Sequence, residues 1–160
     1  MYDLAIIGGG PASYVAAENA GARGLKVVLF EKRELGGVCL NEGCIPTKTL
    51  LYSAKMYDHA TGGKKYGITA ADVTYEYKKM ADRKTKVIRK LVAGVGLKMK
   101  NAGVQVVKAE ALIEGRSEEG LIRISAAGET YEAKNLLLCT GSETFIPPIP
   151  GINLLENDAI

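Results

Sequence analysis

The stretch from Asp3 to Glu31 leaves this chain few folds to choose from. An apolar run, Leu4-Ala5-Ile6-Ile7, fits a strand buried on both faces and stops at Gly8-Gly9-Gly10-Pro11. Residues Ser13 to Ala22 are alanine-rich, carry Val15, Ala16, Asn19 and Ala20 at helical spacing, and meet a C-terminal stop at Gly24. A second apolar run, Lys26 to Phe30, follows and closes at Glu31. Strand, glycine turn, helix and strand within about 30 residues make one βαβ unit, so the two strands run parallel in an α/β fold.

The turn inside that unit suits a dinucleotide. Gly8 and Gly10 occupy the first two glycine positions of a G-x-G-x-x-G pattern. The first permits a tight turn and the second lets backbone approach a pyrophosphate, at which the following helix aims its N–H groups. Ser13 stands where the third glycine is usual, which predicts a slightly wider helix-to-strand contact. Glu31, 21 residues after Gly10, can accept hydrogen bonds from both hydroxyls of an adenosine ribose and repels a 2′-phosphate. FAD or NAD is therefore expected rather than NADP; an ordinary βα turn followed by a surface glutamate is the bland alternative.

The next block, Gly36-Gly37-Val38-Cys39-Leu40-Asn41-Glu42-Gly43-Cys44-Ile45-Pro46-Thr47-Lys48, holds two of the three cysteines. On a regular helix, residues five apart are separated by about 7.5 Å of rise and face different ways, whereas a disulfide needs Cα atoms within about 7 Å. A bond between Cys39 and Cys44 would thus require a distorted segment, which Gly43 and Pro46 ease. Strain of that kind makes a disulfide readily reduced, and a positive helix end with a nearby lysine would lower a thiol pKa. Zinc is a rival use, but Cys139 and the single His59 stand in no zinc-ligand pattern, so no metal is expected. Two inert buried thiols are the other alternative. Cys139, in the run Leu136-Leu137-Leu138-Cys139, reads as a small buried hydrophobe, and His59 as a helical surface residue.

Beyond the block, a helix is expected from Lys48 to about His59 and a longer one from about Tyr75 to Asn101. The latter places Ile88, Leu91, Val92, Val95 and Met99 on an apolar stripe and a row of lysines and arginines on a solvated face. Val104 to Val107 reads as a third parallel strand. Ala109 to Ile113, Leu121 to Ser125 and Thr130 to Ala133 read as an antiparallel meander, and Asn135 to Cys139 as a last buried strand. Pro147-Pro148-Ile149-Pro150-Gly151 reads as a stiff, extended linker. A formal charge of +3 is too small to argue for nucleic acid, and no apolar run reaches the roughly 18 to 20 residues of a membrane helix. With no leader ahead of Leu4, a cytoplasmic location is expected.

These residues together resemble the pyridine nucleotide-disulfide oxidoreductases, the class I flavoprotein disulfide reductases. The resemblance rests on Gly8 to Pro11 with Glu31, on the thirteen residues from Gly36 to Lys48, and on Cys139-Thr140-Gly141-Ser142, similar to that family's A-T-G-S turn. Leu40 and Ile45-Pro46-Thr47 look most like its lipoamide-linked group; mercuric and coenzyme A disulfide reductases are the runners-up, and a non-catalytic redox-sensing nucleotide module is a reading from another class. The resemblance implies an FAD/NAD(P)-binding Rossmann-like fold, a parallel sheet with a three-stranded antiparallel β-meander. It implies an FAD domain over residues 1–146 and a linker over 147–160 toward an NAD-binding domain.

By the same resemblance, Cys39 is the interchange thiol and Cys44 the thiol beside the flavin, with Lys48 near the flavin N5. FAD would be held by Gly8, Gly10, Pro11, Ala12, Glu31, Lys32, Gly37, Val38, Cys39, Cys44, Lys48, Ala111, Thr140 and Gly141. Val38 replaces a frequent threonine, and Glu42 stands where valine is usual, placing a carboxylate beside the thiols. The implied partners are dihydrolipoamide on a lipoyl domain of a 2-oxo acid dehydrogenase or glycine cleavage complex, NAD as acceptor, and a second copy in a homodimer. The chain shows no second glycine fingerprint and no later His-Glu pair, so it is expected to be inactive alone.

Overall fold

A computed structural model describes residues 1–143 and 145–151. In chain order the elements are β1 (Tyr2–Ile7), α1 (Pro11–Ala22), β2 (Val27–Phe30), α2 (Gly37–Asn41), α3 (Cys44–Thr61), α4 (Tyr77–Asn101), β3 (Gln105–Val107), β4 (Ala111–Arg116), β5 (Ile122–Ala126) and β6 (Glu129–Leu138). A short 3₁₀ turn, Gly63–Tyr66, follows α3. One six-stranded sheet has the order β3-β2-β1-β6-β5-β4. The first four strands in that order are parallel, and β6, β5 and β4 are antiparallel. This is the expected Rossmann-like α/β fold with its antiparallel meander.

The sequence divides residues 130–139 into two strands; the structure makes them one. In β6, Ala133 pairs with Ile122 of the meander and also with Tyr2 of β1, so the strand turns from antiparallel to parallel partners at that residue. Lys134, polar enough to read as a break, stays in the strand because the backbone on either side of it is paired with β1; its exposed side chain lies at the sheet's margin, Nζ 2.8 Å from Asp3 Oδ1. Asn135 adds a bond from Nδ2 to the Asp3 carbonyl, 3.0 Å.

All four residues of β2 are buried, as an interior parallel strand requires. Val28 and Phe30 face the meander with Ala5, Ile124 and Tyr131, the last meeting Phe30 edge to face at 5.0 Å. Val27 and Leu29 point the other way, with Ile6, onto Ala17 and Ala20 of α1 and Met99 of α4. Burying a side chain such as Phe30 or Leu29 contributes about 1.5–3 kcal/mol, so both faces of this short strand help hold the layers together. Of the stripe predicted on α4, Val95 and Met99 are buried, but Leu91 is 40% exposed. Much of the helix packs along α3, and it meets the sheet and α1 toward its C-terminal end, where Val95 and Met99 lie. Among the described residues no helix is long and apolar enough to cross a membrane.

The proline-rich segment is not straight: Ile149 N–H donates to the Pro147 carbonyl at 2.8 Å, and a turn follows at Pro150–Gly151. Residues 152–160 of the expected linker lie outside the described residues.

Candidate active site

The C-terminal ends of β1, β2 and β6 converge, the position at which open parallel sheets take ligands. Gly8 leaves β1 with φ +103°, a backbone conformation that side chains rarely adopt, and its N–H donates to the Phe30 carbonyl at 2.8 Å. A Cβ there would overlap the Cys139 carbonyl, because Cys139 N–H is itself bonded to Ile7 O at 2.8 Å and draws the end of β6 against the turn. Thr140 and Gly141, the latter at φ +74°, follow directly.

Glu31 turns back to this loop. Gly9 N–H donates to one of its carboxylate oxygens and Arg33 N–H to the other, each at 2.6 Å. Each oxygen keeps a further lone pair, so the carboxylate is oriented yet still able to accept. Gly10 caps α1 without a side-chain bond; Pro11 has no N–H and Ser13 N–H is turned back to the Gly10 carbonyl, so Ala12 supplies the first-turn N–H at the positive helix end. Ser13, fully buried, donates its hydroxyl to the Gly10 carbonyl at 2.7 Å, which is how a serine is accommodated where a third glycine is usual.

The Gly36-Gly37 turn lies on the same loop: Gly36 N–H donates to the Gly9 carbonyl at 2.8 Å. Gly37, at φ +59°, faces Gly10 so closely that a Cβ would stand 2.7 Å from the Gly10 Cα, whereas a Cβ on Gly10 itself meets nothing nearer than 3.9 Å. This side-chain-free cradle, with a helix N-terminus and an oriented carboxylate, fits a dinucleotide. Lys32 pairs with Glu110 at 3.5 Å, which brings half-buried Ala111 near the end of β2. Val38, 56% exposed, lies beside Gly37 on the open side.

The cysteines sit across a helix break. The first short helix, α2, ends at Glu42, Gly43 takes a non-helical conformation (φ −121°, ψ −103°), and α3 begins at Cys44. Pro46 falls in the first turn of α3, where its missing N–H is harmless. The break brings together two residues that a continuous helix would hold apart. Both are free thiols, and they lie near enough for the Cys44 side chain to be the main influence on the ionisation of Cys39. The Cys44 side chain holds the Cys39 pKa above the ordinary thiol value, helped by partial burial and by the repulsion of a second thiolate. The Cys44 backbone N–H and the Lys48 charge pull it down and do not prevail, so for Cys39 the expected lowering is reversed. A neighbouring thiol costs a thiolate more here than a lysine one turn away returns.

Exposure also differs between the two: Cys44 is exposed and Cys39 half-buried. His59, exposed in the last turn of α3, is about 22 Å of helix from Cys44 and outside the site. Cys139 is a free thiol, half-buried among the residues between sheet and helices. The sequence reading passed over Arg33, whose backbone N–H holds Glu31 and whose guanidinium forms an ion pair with Glu42. The unusual carboxylate at position 42 was the one signal that a cation belonged nearby.

Comparison with known proteins places the chain in a class: residues 2–159 match the family of pyridine nucleotide-disulphide oxidoreductases, and the chain belongs to it. Its curated relatives include dihydrolipoyl dehydrogenases from Acholeplasma laidlawii (40% identical, covering 94% of this chain and 44% of the relative) and Mycoplasma genitalium (42%, covering 94% and 32%). One from Bacillus subtilis is 46% identical, covering 88% of this chain and 31% of the relative. The chain therefore spans from about a third to under half of the length of these relatives. Among solved structures, the Cu(II) complex of the HOCl-induced flavoprotein disulfide reductase RclA of Escherichia coli superposes with a TM-score of 0.74 at 25% identity, over 95% of this chain and 31% of that one.

Proposed function

We propose that this chain is the FAD-binding front part of a dihydrolipoyl dehydrogenase, working on dihydrolipoamide carried by a lipoyl domain of a 2-oxo acid dehydrogenase or glycine cleavage complex, with NAD as final acceptor. In this reading residues 1–146 belong to the FAD domain, residues 147–160 lead toward an NAD-binding domain, and the whole protein works as a cytoplasmic homodimer. The observation that carries it is the helix break that sets the free thiols Cys39 and Cys44 side by side, packed through Gly36 and Gly37 onto a dinucleotide-type glycine turn.

The chemistry assigned to these residues is thiol–disulfide exchange. With Cys39 and Cys44 joined, a substrate thiolate attacks Cys39 Sγ; a new S–S bond forms, the Cys39–Cys44 bond breaks, and Cys44 leaves as thiolate. The second substrate thiolate then attacks the substrate sulfur of that mixed disulfide, and Cys39 leaves as thiolate. Substrate has lost two electrons and two protons; the cysteine pair has gained the electrons. Lys48 supplies positive charge one turn from Cys44 and steadies the thiolates against their mutual repulsion. FAD, when bound, supplies the two-electron acceptor that returns the pair to the disulfide. Gly8, Gly10, Pro11, Ala12, Thr140 and Gly141 would surround its pyrophosphate and Glu31 its ribose. Lys32 and Ala111 would lie toward the adenine, and Gly37 and Val38 toward the flavin.

Titration of the purified chain with FAD, followed by flavin fluorescence, tests this reading. Saturable binding is expected, and Glu31→Gln is expected to weaken it on the order of tenfold, the value of losing hydrogen bonds to a charged acceptor. Binding indifferent to Glu31, or none, would count against the assignment.

A further inference from the structure

A line of contacts joins the glycine turn to the cysteine break. Gly9 N–H and Arg33 N–H hold the two oxygens of Glu31, and the Arg33 guanidinium forms an ion pair with Glu42. Glu42 is the residue at the break: it closes α2, its N–H donates to the Val38 carbonyl at 2.9 Å, and it stands three residues after Cys39 and two before Cys44. Its neighbour Asn41 donates from Nδ2 to the Leu35 and Gly37 carbonyls at 3.1 and 2.9 Å, fixing α2 on the loop that carries Arg33.

We infer that Arg33 is a positioning residue for the Cys39–Cys44 pair, drawing the Glu42 carboxylate onto the loop after β2 and neutralising it there, so that no free negative charge stands beside the thiols. The inference rests on the reading of the two cysteines as a redox couple.

Three observations support it. First, a carboxylate borne three residues after one thiol and two before the other opposes their ionisation unless it has a partner. Second, the Arg33 and Glu42 side chains are 68% and 46% exposed, so the pair contributes little to stability as an exposed ion pair, and its consequence lies in the field it removes. Third, the cations on the neighbouring helices are placed differently. Lys48 acts from α3 itself. From α4, Arg83 is engaged with the Thr49 carbonyl at 3.3 Å and with the Tyr52 ring at 5.7 Å, which leaves Arg33 as the partner of Glu42. Because the same residue also holds Glu31, the nucleotide turn and the thiol break share one anchor.

The test measures alkylation rates of Cys39 and Cys44 by iodoacetamide in the reduced chain at low salt, resolved by peptide mass spectrometry and followed across pH. Arg33→Met, which strands the carboxylate, is expected to slow alkylation about threefold at a pH below the thiol range, as a unit charge several Å away in a water-like dielectric would. Glu42→Gln, which frees the guanidinium, is expected to accelerate it by a similar factor, and the double variant to return to the parent rate. Each difference should fade at about 1 M salt, where charges are screened within about 3 Å. Single variants that shift the rate in the same direction, or leave it unchanged, overturn the inference. The underlying reading is checked separately in the parent chain: if oxidised glutathione produces no Cys39–Cys44 disulfide, that reading fails whatever the Arg33 and Glu42 variants do.

Discussion

Replacing Cys44 by serine is expected to turn a transient adduct into a stable one. In the parent chain, a mixed disulfide formed on Cys39 with glutathione is displaced by Cys44, its neighbour across the helix break. A thiol held in place reacts as though present at very high concentration, so its loss should lengthen the adduct's lifetime on the order of a hundredfold or more. Mass spectrometry of the quenched reaction would show glutathione on Cys39 in Cys44→Ser and an intrachain disulfide in the parent. An adduct that clears equally fast in both would mean that Cys44 is not the resolving thiol. Cys139, packed between sheet and helices, is not expected to take over.

The second large effect is structural. Gly8→Ala places a Cβ where φ is +103° and where it overlaps the Cys139 carbonyl. A left-handed conformation costs a non-glycine residue about 1–2 kcal/mol, and forcing an extra carbon into packed surroundings about 1–3 kcal/mol. Together the change should lower unfolding stability by about 3 kcal/mol. The clash is with backbone, so relief requires β6 to move away from β1, through the register Ile7 to Leu138 that closes the parallel sheet. Urea denaturation of the two chains checks this; a loss below about 1 kcal/mol would mean the strand ends are looser than described. Gly24→Ala, also at positive φ but with nothing within 4 Å, is the control that isolates the clash from the conformational cost.

Much of this was legible in the sequence because the deciding interactions are short-range. A glycine turn between an apolar strand and an alanine-rich helix dictates its own geometry, and Glu31 falls at the loop because β2 must end beside β1. The break between Cys39 and Cys44 was foreseeable as a condition for their meeting, since no regular helix allows it. What was not legible depends on distant partners. Lys134 ends a strand by its polarity, yet β1, 131 residues away in the chain, pairs with the backbone on either side of it. Leu91 matches the apolar period of α4 but remains exposed, because periodicity says which face a residue shares and not how far the sheet beneath extends. The ion pair of Arg33 with Glu42 needs the path of the loop between them, and the upward shift at Cys39 needs the contact with Cys44 to outweigh Lys48.

The most direct measurement of the central claim, that the thiol pair meets a flavin bound on the Gly8 turn, is the visible spectrum of the FAD-saturated chain after its thiols are reduced. A thiolate against an oxidised isoalloxazine should add a long-wavelength charge-transfer band, retained in Cys39→Ser and lost in Cys44→Ser. FAD bound with no such band, or with a band indifferent to Cys44, would contradict the account.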